Sequence, residues 1–251
     1  DVQKYYEDDA DAASIEKNRY YIYYVMRPVS IPFTILSNWI GITPNQATLI
    51  GNFFIFIATT LLFIGSENAI AIMLLYNLYC IFDHVDGNLA RINNLSSQFG
   101  KYYDGLSDHL PQKPFVLGLG VYAFYQYDNI IWVLIAFLAI FIEETYVYVE
   151  NRFNVINLIN KEKKTDKNVD QDTESSSKED AAEKLYDQTS KFRALFRILL
   201  KNRAIINFPI LTLLFLMDHL ALYLVIFLFS QTVFFLPRAI RVFLEAKKQL
   251  S

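Results

Sequence analysis

Long apolar runs alternate with short polar connections along most of this chain. Each run has close to the ~20 residues that an α-helix needs to cross a bilayer. The runs lie at about residues 44–65, 69–91, 99–125, 130–153, 194–217 and 219–242. Pro111 and Pro114 fall inside the third run and predict a kink there. The pattern predicts an all-α, polytopic membrane protein with six transmembrane helices.

The region before the first run has a different character. Thr43, followed by Pro44 and by Gln46 three residues on, has the pattern of a capping box and predicts where the first spanning helix begins. Upstream, several tyrosines and an arginine are typical of a helix that lies among lipid headgroups. These residues are Tyr20, Tyr21, Tyr23, Tyr24 and Arg27. We therefore expect an N-terminal interfacial helix before the first span.

Charged residues are distributed unevenly, and this predicts the orientation. The connections at 66–68, 126–129 and 217–219 contain no Lys or Arg, whereas nearly all of the 23 basic residues lie on the other side of the predicted spans. The positive-inside rule then places both termini and the segment 83–108, which joins spans two and three, on the cytoplasmic side. Four parts are predicted: a cytoplasmic tail with the interfacial segment (1–43), spans one to four (44–156), a polar, disordered cytoplasmic loop (157–191), and spans five and six with a tail (192–251).

Composition supports the membrane assignment and limits the other function classes. The chain is 53% hydrophobic and 16% aromatic, with 21 Phe and 17 Tyr, so it is far more apolar than an ordinary soluble domain. A net charge of −3 gives no indication of a nucleic-acid partner, and none is expected. Cys80 is the single cysteine, which excludes a disulfide within the chain.

Four aspartates stand close together where the span pattern reaches membrane depth: Asp83, Asp86, Asp104 and Asp108. Ionisable groups at that depth are costly, and they rarely persist without a partner ion, a water-filled cavity or a substrate. Carboxylate oxygens suit Mg²⁺ or Mn²⁺, and a cluster of four could hold two ions that bridge a pyrophosphate. Two-metal sites stabilise the attacking and leaving oxygens in phosphoryl transfer. The residues therefore predict a divalent-metal site suited to that chemistry.

Small residues share the helix faces of these carboxylates. At about 100° per residue, Gly87 and Ala90 fall in one sector with the first two aspartates, and Arg91 lies at its edge. Gly100 forms a single stripe with the last two aspartates. The small residues would leave room for a flat or bulky ligand, or would let the two helices approach closely. The residues alone do not choose between these interpretations.

The whole pattern resembles the signature of the CDP-alcohol phosphatidyltransferase family, D-x-x-D-G-x-x-A-R, eight residues, then G-x-x-x-D-x-x-x-D. Every fixed position is filled here. Upstream, Thr43, Pro44, Asn45 and Thr48 match the T-P-N-x-x-T that usually opens the first span in that family. The resemblance implies a metal-dependent enzyme of phospholipid biosynthesis that moves a substituted phosphate, phosphatidyl above all, from a CDP-linked lipid to the hydroxyl of a polar acceptor and releases CMP. It also implies a homodimer in a lipid bilayer.

The resemblance assigns roles to individual residues. Asp83, Asp86 and Asp104 are the expected ligands of two Mg²⁺ or Mn²⁺ ions, and Asp108 is the expected general base as well as a ligand. A nucleotide pocket is expected from the family positions Gly87, Ala90, Arg91 and Gly100, together with Asn45 and Thr48, which line one face of the first span.

The acceptor pocket is predicted more weakly, from five residues: His109, Lys113, Glu143, Arg193 and Arg197. His109 stands where relatives that use phosphorylated acceptors often have a basic residue. Arg193 and Arg197 recur at i and i+4 and could contact an acceptor phosphate, although anchoring at the membrane surface explains them equally well. Glu143 could recognise a cationic acceptor or pair with Arg91. The acceptor itself stays open among sugar or polyol phosphates, inositol, glycerol phosphate, serine and amino alcohols.

Two other functions fit part of the pattern. An intramembrane prenyltransferase also binds magnesium pyrophosphate through aspartate-rich helices, and Asp104 and Asp108 match its D-x-x-x-D, but Gly87, Ala90 and Arg91 are not explained by it. A non-catalytic cation carrier would also place carboxylates in membrane spans. Metal-dependent release of CMP is expected of the first interpretation alone.

Overall fold

The computed structural model describes residues 25–165 and 209–250, and in these two stretches it contains eight α-helices and no strand. The helices are α1 (Arg27–Trp39), α2 (Pro44–Phe63), α3 (Ala69–Ile92), α4 (Gln98–His109), α5 (Gln112–Tyr127), α6 (Ile131–Thr165), α7 (Leu211–Leu216) and α8 (Leu220–Leu250). The prediction of an all-α fold is confirmed.

Four helical stretches in the described residues are long and apolar enough to cross a membrane: Pro44–Phe63, Ala69–Ile92, Ile131–Asn157 and Leu220–Lys248. They correspond to the first, second, fourth and sixth predicted runs. The third run is divided into α4 and α5, because the helix stops at Leu110 and Pro111, where a kink was predicted. The fifth run lies mostly outside the described residues. The count of six spans is therefore not confirmed.

Other boundaries also differ from the sequence pattern. Residues Tyr20 to Tyr24 of the predicted interfacial segment lie outside the described residues, and Arg27 opens α1. Helix α6 continues to Thr165, past residue 157 where the polar loop was predicted to begin. The rest of that loop, from residue 166, also lies outside the described residues.

The start of α2 was predicted from its capping box, and the structure has that box. The Thr43 hydroxyl accepts a hydrogen bond from the Gln46 backbone N–H at 3.4 Å, and the Gln46 side-chain oxygen accepts one from the Thr43 N–H at 2.9 Å. Pro44 follows at the first helical position, where a missing N–H costs nothing. The cap fixes the point at which the chain turns into the membrane helix.

The described residues form two compact units, residues 25–140 with 209–230 and residues 141–165 with 231–250. The first unit has an apolar core in which the rings of Tyr76 and Phe115 stack with centroids 4.4 Å apart. In the second unit, the rings of Tyr146 and Phe235 pack with centroids 5.1 Å apart. Helices α6 and α8 contribute residues to both units.

Glycines allow close helix contacts in the first unit. A Cβ at Gly51 of α2 would lie 3.3 Å from the Cβ of Phe82 in α3, and one at Gly118 of α5 would lie 3.1 Å from the Cβ of Leu62 in α2. A Cβ at Gly120 would come within 2.7 Å of the neighbouring alanine Cβ at position 136, so only glycine fits there. Close packing at small residues is the usual basis of helix association in lipid.

Helix α1 packs against α3 with its polar side. Ser30, Thr34 and Ser37 are buried, whereas Ile35 and Trp39 are exposed. The arrangement is the reverse of that in a soluble protein, where the apolar face is buried. It leaves the apolar side of α1 available to lipid and brings three hydroxyl groups against α3.

Candidate active site

Three of the four aspartates form one cluster. Asp83 lies near the C-terminal end of α3, and Asp104 and Asp108 lie one turn apart on α4. Each offers a carboxylate oxygen, and the three oxygens lie within 4.8 Å of one another. Like charges this close repel each other unless a cation lies between them. Hard oxygen donors in this number suit Mg²⁺ or Mn²⁺, so the cluster fits the predicted divalent-metal site.

Asp86 has different surroundings from the cluster. Its side chain is only 4% exposed. One carboxylate oxygen accepts a hydrogen bond of 2.6 Å from the Thr48 hydroxyl of α2, and the other accepts one from the Gly87 backbone N–H. Among the described residues, Asp86 is not part of the close group of three. Its role as a metal ligand stays a prediction, and what the structure adds is that Thr48 fixes its orientation.

A pocket of about 190 Å³ opens between the start of α2, the end of α3 and the start of α4. It is lined by Pro44, Asn45, Thr48, Asp86, Gly87, Ala90, Arg91, Leu95, Ser96, Ser97, Gly100, Lys101 and Asp104. All six residues that were predicted to bind nucleotide are in this set. Asp104 belongs to both the pocket and the carboxylate cluster, so a ligand in the pocket would lie beside the predicted metal site.

Glycine leaves room for neighbouring polar groups at two points of the pocket wall. A Cβ at Gly87 would lie 3.3 Å from the Nη1 atom of Arg91, against its guanidinium. A Cβ at Gly100 would lie 3.0 Å from the Ser97 hydroxyl oxygen and 3.7 Å from the Asn45 side-chain oxygen. Any larger residue would therefore crowd the polar groups that face the pocket.

The pocket is lined by both positive and negative groups. Two helices begin at its wall, α2 after the Thr43 cap and α4 after the Ser97 cap, whose hydroxyl accepts a 2.9 Å hydrogen bond from the Gly100 N–H. Helix N-termini carry partial positive charge and favour anions. Arg91 and Lys101 add cationic side chains to the lining, which also contains the carboxylates of Asp86 and Asp104. A phosphate group is a ligand that suits the helix N-termini and the two cations.

Hydrogen bonds behind the cluster hold the end of α4. The Gln112 amide donates to the Asp108 carbonyl at 2.7 Å and to the Tyr79 hydroxyl at 3.2 Å. Tyr79 donates in turn to the Ser107 carbonyl at 3.2 Å, and Asn52 of α2 donates to the Ser107 hydroxyl at 2.8 Å. These contacts fix the backbone that carries Asp108 against α2 and α3.

The predicted acceptor residues are placed only in part. His109 ends α4 and Lys113 lies in the first turn of α5, both half-buried, and neither is in the lining set of the pocket among the described residues. Glu143 is half-buried in α6 and belongs to the second unit. Arg193 and Arg197 lie outside the described residues. The acceptor pocket stays a prediction.

Sequence reasoning missed several residues of the site. Ser96, Ser97 and Lys101 line the pocket, and none of them is a predicted site residue. Ser97 could have been found from the N-cap pattern of α4, since it directly precedes a helical run. The contact between Asn88 and Arg91 was also missed, although positions i and i+3 face each other on a helix.

Comparisons with known proteins identify the family of the segment that carries the site. The model of the CDP-alcohol phosphatidyltransferase family matches residues 41–173, a segment that contains the pocket and the carboxylate cluster. An uncharacterised protein of Aquifex aeolicus (strain VF5) is 34% identical over 108 residues, which are 42% of this chain and 54% of that protein. The chain thus spans about half the length of this curated relative.

Proposed function

Because the chain belongs to the CDP-alcohol phosphatidyltransferase family, we propose that it transfers a substituted phosphate from a CDP-linked donor to the hydroxyl of an acceptor and releases CMP. One observation carries the proposal. The pocket that gathers the six predicted nucleotide residues shares Asp104 with the cluster formed by Asp83 and Asp108. A nucleotide held in the pocket would therefore present its phosphates to the carboxylates.

The chain's own residues supply binding and proton transfer. Arg91, Lys101 and the start of α4 would hold the phosphates, and Gly87 and Ala90 would leave room for the nucleoside. The acceptor oxygen would attack the phosphorus that bears the lipid, the bond from that phosphorus to the CMP phosphate would break, and CMP would leave. Asp108 would take the proton of the acceptor hydroxyl, since a carboxylate at the edge of the cluster can serve as general base.

Divalent ions belong to the proposal. Asp83, Asp104 and Asp108, with Asp86 close by in the sequence, would hold two Mg²⁺ or Mn²⁺ ions, because the three clustered oxygens match the ligands these ions prefer. When bound, such ions would offset the charge of the pyrophosphate as its phosphorus is attacked.

The proposed donor is a lipid, and the proposed acceptor is a polar molecule. The donor would be CDP-diacylglycerol or a related CDP-lipid, and the acceptor a polar alcohol contacted by His109, Lys113, Glu143, Arg193 and Arg197. The exposed apolar residues of α1, α2 and α3 are consistent with lipid around the site. We propose six spans in the four-part organisation, an N-terminal interfacial helix, cytoplasmic termini and active site, and a homodimer.

The test is a measurement of CMP release. The full chain would be purified in detergent or lipid nanodiscs, supplied with CDP-diacylglycerol and one acceptor at a time, and the CMP quantified by chromatography. We expect release with one acceptor class, its loss with chelator, and its return with magnesium or manganese. An Asp108→Asn preparation purified in parallel controls for host enzymes.

Other outcomes would contradict the proposal. No CMP release with any acceptor, combined with diphosphate release from a prenyl diphosphate, would identify a prenyltransferase. Metal-ion flux through proteoliposomes without turnover of either donor would identify a cation carrier.

A further inference from the structure

Asn88 is not a fixed position of the sequence signature. Asn88 lies in α3, is 3% exposed, and touches two different elements. Its side-chain nitrogen donates to the Ser30 hydroxyl oxygen at 3.2 Å and to the Thr34 hydroxyl oxygen at 3.1 Å, both on α1. Its side-chain oxygen accepts a hydrogen bond of 2.8 Å from the Nη2 atom of Arg91.

The surrounding bonds fix which way the Asn88 amide points. The Ser30 hydroxyl donates its proton to the Arg27 carbonyl at 2.8 Å, and the Thr34 hydroxyl donates to the Ser30 carbonyl at 2.9 Å. Each hydroxyl has one proton, so toward Asn88 both can only accept. The amide nitrogen must therefore face α1, and the amide oxygen is left to face Arg91.

Arg91 gains a defined position from this contact. Its side chain is exposed, and a free arginine has several rotatable bonds and considerable rotamer entropy. The bond to Asn88 holds the guanidinium over Gly87, where it lines the pocket. A guanidinium held in advance loses less entropy when it binds a phosphate.

We infer that Asn88 is a positioning residue: it orients Arg91 for the nucleotide phosphates, and the hydroxyl groups of α1 orient Asn88 in turn. The inference rests on the proposed function, because it assigns Arg91 to nucleotide binding. Helix α1, which contributes no residue to the pocket lining among the described residues, thereby has an indirect part in binding.

The experiment is a double-mutant cycle read by CMP binding. Calorimetry with CMP and Mg²⁺ would be done on the wild type, Asn88→Ala, Arg91→Ala and the double variant. We expect Asn88→Ala to raise the dissociation constant of CMP roughly tenfold. Losing a hydrogen bond to a charged group typically changes an equilibrium constant by about a factor of ten or more. In the Arg91→Ala background, Asn88→Ala should change it by less than about twofold, because no partner remains to be oriented.

A matched control is Asn77→Ala in the same helix. The Asn77 amide donates to the Met73 carbonyl at 2.7 Å and to the Thr212 hydroxyl at 3.1 Å, and Asn77 is not in the pocket lining. Its loss removes the same kind of bonds without touching Arg91. CMP affinity should stay within about twofold of the wild type, whatever happens to the melting temperature.

A second route to the same test acts on α1. Ser30→Ala with Thr34→Val removes both acceptors of the Asn88 amide and keeps Asn88 itself, so it serves if Asn88→Ala fails to fold. We expect CMP binding to weaken about threefold, less than for Asn88→Ala, and only when Arg91 is present. For the donor, KM should rise while kcat stays nearly constant, which is the signature of lost binding.

The outcomes separate the inference from the function. If the wild type binds CMP but the losses are the same with and without Arg91, or absent in both cases, the positioning role is wrong and the proposed function stands. If the wild type does not bind CMP, both are overturned.

Discussion

Replacing Thr48 by valine tests the buried contact between α2 and the aspartate motif. Valine keeps the branched shape of threonine and removes the hydroxyl that donates to the Asp86 carboxylate at 2.6 Å. Both residues are buried, Thr48 at 7% exposure and Asp86 at 4%, so water does not easily replace the lost bond. Asp86 would keep the hydrogen bond from the Gly87 N–H.

The magnitude follows from the charge of the acceptor. Hydrogen bonds to charged groups contribute about 1.5–3 kcal/mol, more than neutral ones. If the carboxylate must be oriented and ionised for turnover, Thr48→Val should lower kcat/KM by roughly 10- to 150-fold, at about 1.4 kcal/mol per factor of ten. Thr48→Ser keeps the hydroxyl and should recover most of the activity.

Thr60 offers a matched control on the same helix. Its hydroxyl donates to the Phe56 carbonyl at 2.9 Å. The Thr48 hydroxyl also lies 3.2 Å from the carbonyl four residues earlier, that of Pro44, but Thr60 has no aspartate partner among the described residues. CMP release and melting temperature would be measured for both valine variants. Equal activity in Thr48→Val and Thr60→Val would refute the view that Thr48 orients Asp86 for catalysis.

Asp83→Asn and Asp104→Asn should each abolish turnover and weaken magnesium binding, because each removes a charged oxygen from the cluster; full activity with unchanged metal affinity would contradict the metal site. Asp108→Asn should keep donor binding while single-turnover CMP release falls by roughly 10²- to 10⁴-fold, the usual effect of a lost general base, and joint loss of binding and rate would instead indicate a metal ligand. Gly120→Ala should lower the melting temperature, since its Cβ has no room, whereas Gly105→Ala, with no described residue within 4 Å of the added Cβ, should leave it unchanged or raise it slightly.

The sequence predicted those parts of the site that depend on local spacing. Thr43 and Gln46 gave the start of α2, and the prolines gave the break after α4, because caps and proline act within a few residues. Asn45 and Thr48 were expected to approach the pocket from a neighbouring helix, and they line it. That expectation came from the face they share on α2, together with the family pattern.

Contacts that depend on how helices pack were not predictable in the same way. Asp86 was grouped with the other aspartates, whereas in the structure its carboxylate accepts a hydrogen bond from Thr48 of α2 and lies outside the close group of three among the described residues. The bonds from Asn88 to Ser30 and Thr34 join residues more than 50 positions apart. No periodicity encodes such pairs. In the sequence, hydroxyl groups on an apolar helix only interrupt the apolar pattern, and nothing there identifies their partners.

The break after α4 also bears on how the protein enters the membrane. Helix α4 carries Lys101, Asp104 and Asp108, and α5 has Lys113 in its first turn. Helix α5 has 16 residues, about 24 Å of helix, which is short of the ~30 Å hydrocarbon layer. A helix this short would be inserted into lipid only inefficiently on its own. Helix α2 emerges earlier from the ribosome and offers the close contact between Leu62 and Gly118. We therefore expect α5 to insert into the membrane together with α2, through this contact. Membrane insertion, and not only catalysis, would then depend on the packing of α5 against α2.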